Sequence, residues 1–99
     1  MVLGTLIVDL LLGDVRSLKQ KRAVVRPIVS ELRRRFEVAA AETGALDLHR
    51  RTEIAVAVVS STRQHAVEVL DACERIVAGH PEVELLSARQ RVLDDTDLD

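Results

Sequence analysis

The residues with the most chemical content lie between Arg16 and Phe36, RSLKQKRAVVRPIVSELRRRF. This stretch carries eight Lys or Arg and one Glu, a balance of +7 in a chain whose formal total is −2, so the remaining residues sum to −9. Lys19, Arg22, Arg26 and Arg33 recur at helical spacing along one flank, with Ser30 filling the gap in the row. At 1.5 Å of rise per residue the row is roughly 21 Å long. That is a footprint able to set successive cations against a phosphate backbone. Arginine suits the task because its planar guanidinium matches two phosphate oxygens at once. A charged helix face is, in most soluble proteins, simply a solvated face, and an acidic protein surface would answer the same cations. Arg33, Arg34 and Arg35 have a plainer explanation still, since cations at a helix C-terminus offset the backbone dipole. Lys21 falls close to the apolar stripe of the same helix, where a carboxylate such as Asp9 or Glu42 could pair with it.

Other chemistries find little to work with. His49, His65 and His80 show no ligand spacing with Cys73 or with carboxylates, which argues against a zinc site. Cys73 sits on an apolar helical stripe and reads as a small buried hydrophobe. Ser60-Ser61-Thr62 has no base placed beside it by any motif, and Gly13-Asp14 lacks the glycine run of a phosphate loop. His49 and Asp47 read as turn residues rather than as an acid–base couple. The expectation is a non-enzyme with no catalytic residue, no metal and no cofactor.

The elements that must position the basic stretch follow from periodicity. Val2 to Leu12 is an apolar strand: Val2, Leu6, Val8, Leu10 and Leu12 share one face, while Leu3, Thr5, Ile7, Asp9 and Leu11 make a mixed one. Ser17 to Arg35 reads as a helix, opened by a Ser17/Gln20 capping box and interrupted by Pro27, which either bends or breaks it. Strands are predicted over Phe36–Glu42, Thr52–Val59 and Glu82–Val92. A second helix is capped by Ser61 with Gln64 and closed at Gly79-His80-Pro81. Residues 1–92 form one domain, and the acidic tail 93–99 is expected to be disordered. The first strand is too short to span a bilayer and lacks the features of a signal peptide. The single cysteine suits a reducing compartment, so the expected location is the cytoplasm.

The order β-α-β-β-α-β with two helices on one face of a four-stranded antiparallel sheet is the α+β, ferredoxin-like architecture. Right-handed crossovers favour strand order 4-1-3-2. In that fold the turn after the first strand and the loop between the second and third strands lie at one end. Arg16, Lys19, Lys21 and Arg22 would meet His49, Arg50 and Arg51 there, and Arg26 continues the patch along the helix. The sheet's open face would hold Thr5, Ile7, Asp9, Ala39, Ala41, Ala55, Ala57 and Leu86. Phe36 is the only aromatic residue, so base stacking on that face is not expected. A flat apolar face is an association hazard in water. The expectation is a symmetric homodimer that covers it through Ile7, Ala39, Ala41, Ala55, Ala57 and Leu86.

Arg16-Ser17-Leu18-Lys19-Gln20-Lys21-Arg22 after an apolar first strand resembles the YlxP-like family of small bacterial proteins of unknown function. So do Ala41-Glu42, Asp47-Leu48-His49-Arg50 and Val58-Val59-Ser60, and the resemblance extends over about residues 1–92. Pro27 departs from the uninterrupted first helix that the resemblance implies. The resemblance implies a ferredoxin-like fold. The family's genes often lie beside those for translation initiation and ribosome maturation factors, which implies an RNA-related role. The combined expectation is an RNA- or ribosome-associated module with rRNA or a ribosomal precursor as partner, without membrane contact or sequence-specific DNA binding. The alternatives are a dimeric small-ligand regulatory module and a protein-interaction domain that docks on an acidic partner.

Overall fold

Alternation in the first strand dictates the core. The computed structural model describes residues 1–99. In β1 (Val2–Leu12) every even-numbered residue is buried and every odd one half-buried. Leu6, Val8 and Leu10 are wholly enclosed. Gly4 belongs to the buried set because the second helix passes close by: a Cβ there would come within 2.9 Å of Leu70 Cδ1 and 3.1 Å of Val58 Cγ1.

Six elements follow in chain order: α1 (Leu18–Arg35), β2 (Ala39–Gly44), β3 (Arg51–Ser60), α2 (Arg63–Ala78), β4 (Val83–Leu93) and α3 (Asp95–Leu98). The sheet order is β2-β3-β1-β4 with every neighbouring pair antiparallel, the ferredoxin-like arrangement expected. Val25, Ile28, Val29 and Leu32 of α1 and Ala66, Leu70, Cys73 and Val77 of α2 close the core over the even-numbered face of β1. Each fully enclosed Leu or Ile contributes about 1.5–3 kcal/mol of transfer free energy. No helix is long and apolar enough to cross a membrane.

The helix ends show where local reasoning shifts by a residue. Ser17 caps α1 and its Oγ accepts from Gln20 N at 3.1 Å. Gln20 Oε1 reaches back to the N–H of Arg16 at 2.7 Å, not to that of Ser17. Pro27 does not break α1, which is continuous. The proline is exposed, opposite the buried stripe, and so is Ala23, whose carbonyl loses its helical donor; water can satisfy it. The α2 cap is Thr62, whose Oγ1 accepts from His65 N at 3.1 Å, in place of Ser61. The cause is β3, which runs to Ser60 and pushes the turn onward; Gln64 bonds Glu68 instead.

Two strands also differ from expectation. Phe36 is the C-cap of α1, its N–H still bonded to Leu32 O at 3.1 Å, so β2 begins only at Ala39. In β4 a register shift opposite Asp9 and Leu10 leaves Leu86 without a partner. Leu86 therefore belongs to a bulge and not to the regular open-face ladder. Beyond it the open-face positions fall to Ser87, Arg89 and Arg91. The acidic tail, expected to be disordered, forms the single turn of α3, capped by Asp94 and tied by Asp95 to the Met1 amino group at 3.0 Å.

α1 is fastened to the turn after α2 by His80 Nε2, 2.8 Å from Glu31 Oε1, while Arg35 lies 3.2 Å from Glu31 Oε2. These bonds, His80 first and then Arg35, hold the Glu31 carboxyl below its ordinary range. A carboxyl depressed in the folded state adds stability above its unfolded pKa, and that increment is lost as pH falls through the folded value. Urea melts of the parent and of Glu31→Gln, taken from about pH 7 to about pH 3, should therefore converge toward the acid end. Parallel curves would mean that the Glu31 bonds are not linked to folding.

Candidate nucleic-acid interface

The N-terminal half of α1 has no acidic residue, and its flank faces the outer edge of the sheet. β2 is that edge, pairing only with β3. Between them runs a groove of about 430 Å³ lined by Arg22, Arg26, Ser30 and Arg33 from the helix and Ala41 and Glu42 from the strand, floored by Val25 and Val29. The spacings of four, four and three residues place these four helical positions on one face.

Inside the groove the cations are not equivalent. Arg33 turns toward the strand and donates through Nε to Ala40 O at 2.9 Å, with Nη2 on the same oxygen. Arg22 and Arg26 are exposed and make no side-chain hydrogen bond or ion pair, and the same is true of Lys19 one turn earlier. Their guanidinium forks and the ammonium are free to receive an anion.

Lys21 leaves the candidate set. It is 2% exposed, and its ammonium lies 2.9 Å from Glu42 Oε2 and 2.6 Å from Ala45 O. Glu42 Oε2 also accepts from Thr52 Oγ1 at 2.6 Å, and Thr52 is buried. Of the two carboxylates considered from sequence, Glu42 is the partner; Asp9 projects from the other face of the sheet and accepts from Ser87 Oγ at 2.8 Å. A long side chain at the margin of the apolar stripe is driven inward by its methylenes, and the charge then requires a buried partner.

The two basic stretches do come together. Leu12 N–H donates to Arg50 O at 2.8 Å, and Arg50 Nε donates to Gly13 O at 2.8 Å and Leu12 O at 3.2 Å. The hairpin loop thus lies against the turn that precedes α1. Arg50 is in part a structural clamp for that turn. Arg16 pairs with Asp14 at 3.2 Å on a fully solvated surface, where such a pair adds little. His49 is exposed in the loop. Arg51 does not join the patch: it pairs in register with Leu11, and its neighbour Thr52 takes the helix-facing side, so Arg51 stands on the opposite face. Arg33, which the sequence set in the same row as Arg22 and Arg26 and for which the helix dipole offered a plainer explanation, lines the groove. Arg89 and Arg91 were missed, because a bulge leaves no mark in a single sequence.

The remaining reactive types are quiet. Cys73 is fully buried, and that burial pushes its thiol up to about 11, far from thiolate chemistry at neutral pH. His65 lies in the first turn of α2, and His80 follows the helix in the turn beyond its Gly79 cap.

A ferredoxin-like domain with a basic groove between its first helix and an edge strand defines the class. The chain belongs to a family described as a protein of unknown function (DUF503), whose model matches residues 3–90. It is similar to the uncharacterized protein YlxP of Bacillus subtilis (strain 168), with 33% identity over 76 residues, covering 77% of this chain and 83% of that one.

Removal of Lys21 strands the Glu42 carboxylate and the Ala45 carbonyl. Lys21→Ala should cost about 3 kcal/mol in urea denaturation, while Lys21→Met combined with Glu42→Gln should recover part of that loss. A loss below about 0.5 kcal/mol for Lys21→Ala, the range of ordinary surface substitutions, would deny the pair a role in holding α1.

Proposed function

We propose that the protein is a non-enzymatic, RNA-associated cytoplasmic module that binds the phosphate backbone of rRNA or a ribosomal precursor along the α1 groove. The observation that carries this reading is the pair of unengaged arginines, Arg22 and Arg26, lining one groove with Ser30 and Arg33 in a chain whose net charge is −2. Local cation density of this kind in an otherwise acidic protein confines an anionic partner to one place. Lys19 extends the row by a turn. The Ser30 hydroxyl can donate to a phosphate oxygen, and the valine floor offers no base-reading groups, so the module recognises backbone shape and charge rather than sequence.

A docking strand from an acidic protein is the competing occupant of this groove. Strand addition needs the free backbone groups of the β2 edge. Arg33 already occupies Ala40 O there, and a long side chain so placed blunts an edge against further pairing. That detail favours a phosphate chain over an added strand.

Three cations on phosphates would give a slope of log affinity against log salt of about −2 on single-stranded RNA. Replacing Lys19, Arg22 and Arg26 together by Glu should abolish binding in a filter or anisotropy assay while circular dichroism stays unchanged. Equal binding by parent and triple variant would end the proposal. The protein lacks Trp and Tyr, so nucleic acid carried through purification at low salt should also appear as absorbance near 260 nm that nuclease removes.

A further inference from the structure

The open face of the sheet is ordered in transverse rows by the strand register. Ala39, Ala57, Thr5 and Arg91 form one row, and Ala41, Ala55, Ile7 and Arg89 the next. A third contains Glu53, Asp9 and Ser87, and Val59, Leu3 and Leu93 lie at the opposite end. The two middle rows are paved with small side chains and enclose a shallow depression of about 600 Å³ with an apolar floor. Val59 is 67% exposed, the most open large hydrophobic residue in the chain. No helix covers this face, since both long helices pack on the even-numbered side of β1.

The charges in the inner rows of the face are segregated along the strands, and Arg51 and Glu84 flank Leu11 in the row beyond the carboxylates. Asp9 and Glu53 lie side by side in one row; Ser87 donates to Asp9 at 2.8 Å, and Thr43 donates to Glu53 at 2.7 Å. Arg89 approaches Glu53 only to 3.9 Å. Arg91, two rows from the carboxylates, has no partner. An isolated cation beside an apolar floor, with an acidic pair at the other end of the same face, is the pattern that a self-complementary surface requires.

We infer that a second copy of this chain covers the open face, stacked about a two-fold axis that runs across the strands at the level of the Ile7 row. Such an axis keeps each strand over its own counterpart and reverses the rows. Arg91 of each copy then lies over the Asp9–Ser87 end of the other, and the Ala41–Ala55–Ile7 row meets its own counterpart on the axis. An axis along the strands would instead set Arg91 over Ala39 and leave the charge unanswered. With four strands at about 4.8 Å and the rows from Leu3 to Leu11 at about 3.4 Å per residue, the face measures roughly 500 Å² per copy. Two copies together bury roughly 1,000 Å², the lower limit for a specific interface. The dimer is therefore a reversible one. Arg33 and Ala41 border both the depression and the α1 groove, but Arg22, Arg26 and Ser30 line the groove alone, and the dimer does not depend on what that groove binds.

Sedimentation equilibrium from about 5 to about 500 µM, a range that brackets a dissociation constant of roughly tens of micromolar, reads the assembly. The parent should pass from monomer to dimer, and Arg91→Asp and Asp9→Arg should each raise the dissociation constant at least tenfold without moving the thermal midpoint of the dilute monomer. Mixed in equal amounts, the two variants should form a heterodimer as tight as the parent dimer, because both contacts across the interface then join opposite charges. Ala55→Arg, which lies on the axis and would face its own copy, should also block stacking. A parent that stays monomeric throughout overturns the inference, as does failure of the mixture to restore the dimer. So does a result in which the face variants lose RNA binding while dimerisation persists, since nucleic acid would then be the occupant.

Discussion

One buried ammonium organises the end of the molecule where the groove begins. Lys21 projects from the second turn of α1 into a pocket with almost no water, and its charge is held by Glu42 of β2 and the Ala45 carbonyl of the hairpin. Glu42 is in turn bonded to Thr52 of β3. The start of α1 and the β2–β3 hairpin, far apart in the chain, meet on one cation. A buried charge tolerates little error in position, because moving Glu42 away leaves the Lys21 ammonium without water. The rotation and height of α1 against the β2 edge are thereby restricted. That restriction turns the Arg22–Arg26 flank toward the strand, and the groove follows from it.

The rest of the molecule can be read as the management of two sheet edges and one open face. On the β2 side, Arg33 takes an edge carbonyl and the basic flank of α1 stands over the strand. On the β4 side, the bulge at Leu86 breaks the ladder and the strand carries Arg89 and Arg91. Charge and irregularity are the usual means of keeping edges from pairing with other chains. The open face has no such protection in its middle rows, where small residues leave the backbone near the surface. Its charges lie at the margins, where they can steer the register of whatever covers it.

The elements that depend on local chemistry were legible. β1, both long helices, the Ser17 cap and the strand order follow from hydrophobic period, capping residues and the handedness of crossovers. The departures share a cause: competition between a local signal and a partner distant in sequence. Ser61 and Thr62 are equally good caps, and the length of β3 chose Thr62. Phe36 has strand propensity, but Leu32 O retained its N–H in the helix. Leu86 had the right parity for the open face until pairing with β1 introduced a bulge.

For function the division is similar. The density of cations between Arg16 and Phe36, the lack of any acid–base or metal-ligand pattern, and the small-residue character of the sheet's open face are properties of composition and spacing, and the sequence alone determined them. Which cations are free is a different matter. Lys21, Arg22, Arg26, Arg33, Arg50 and Arg51 look alike in one dimension. Tertiary structure buried the first, bound Arg33 and Arg50 to carbonyls, and turned Arg51 to the other face. Only Arg22 and Arg26 of the six were left open in the groove. The physical reason is that a charge's role depends on its partners and its solvent, and both are set by contacts between segments that the chain order keeps apart.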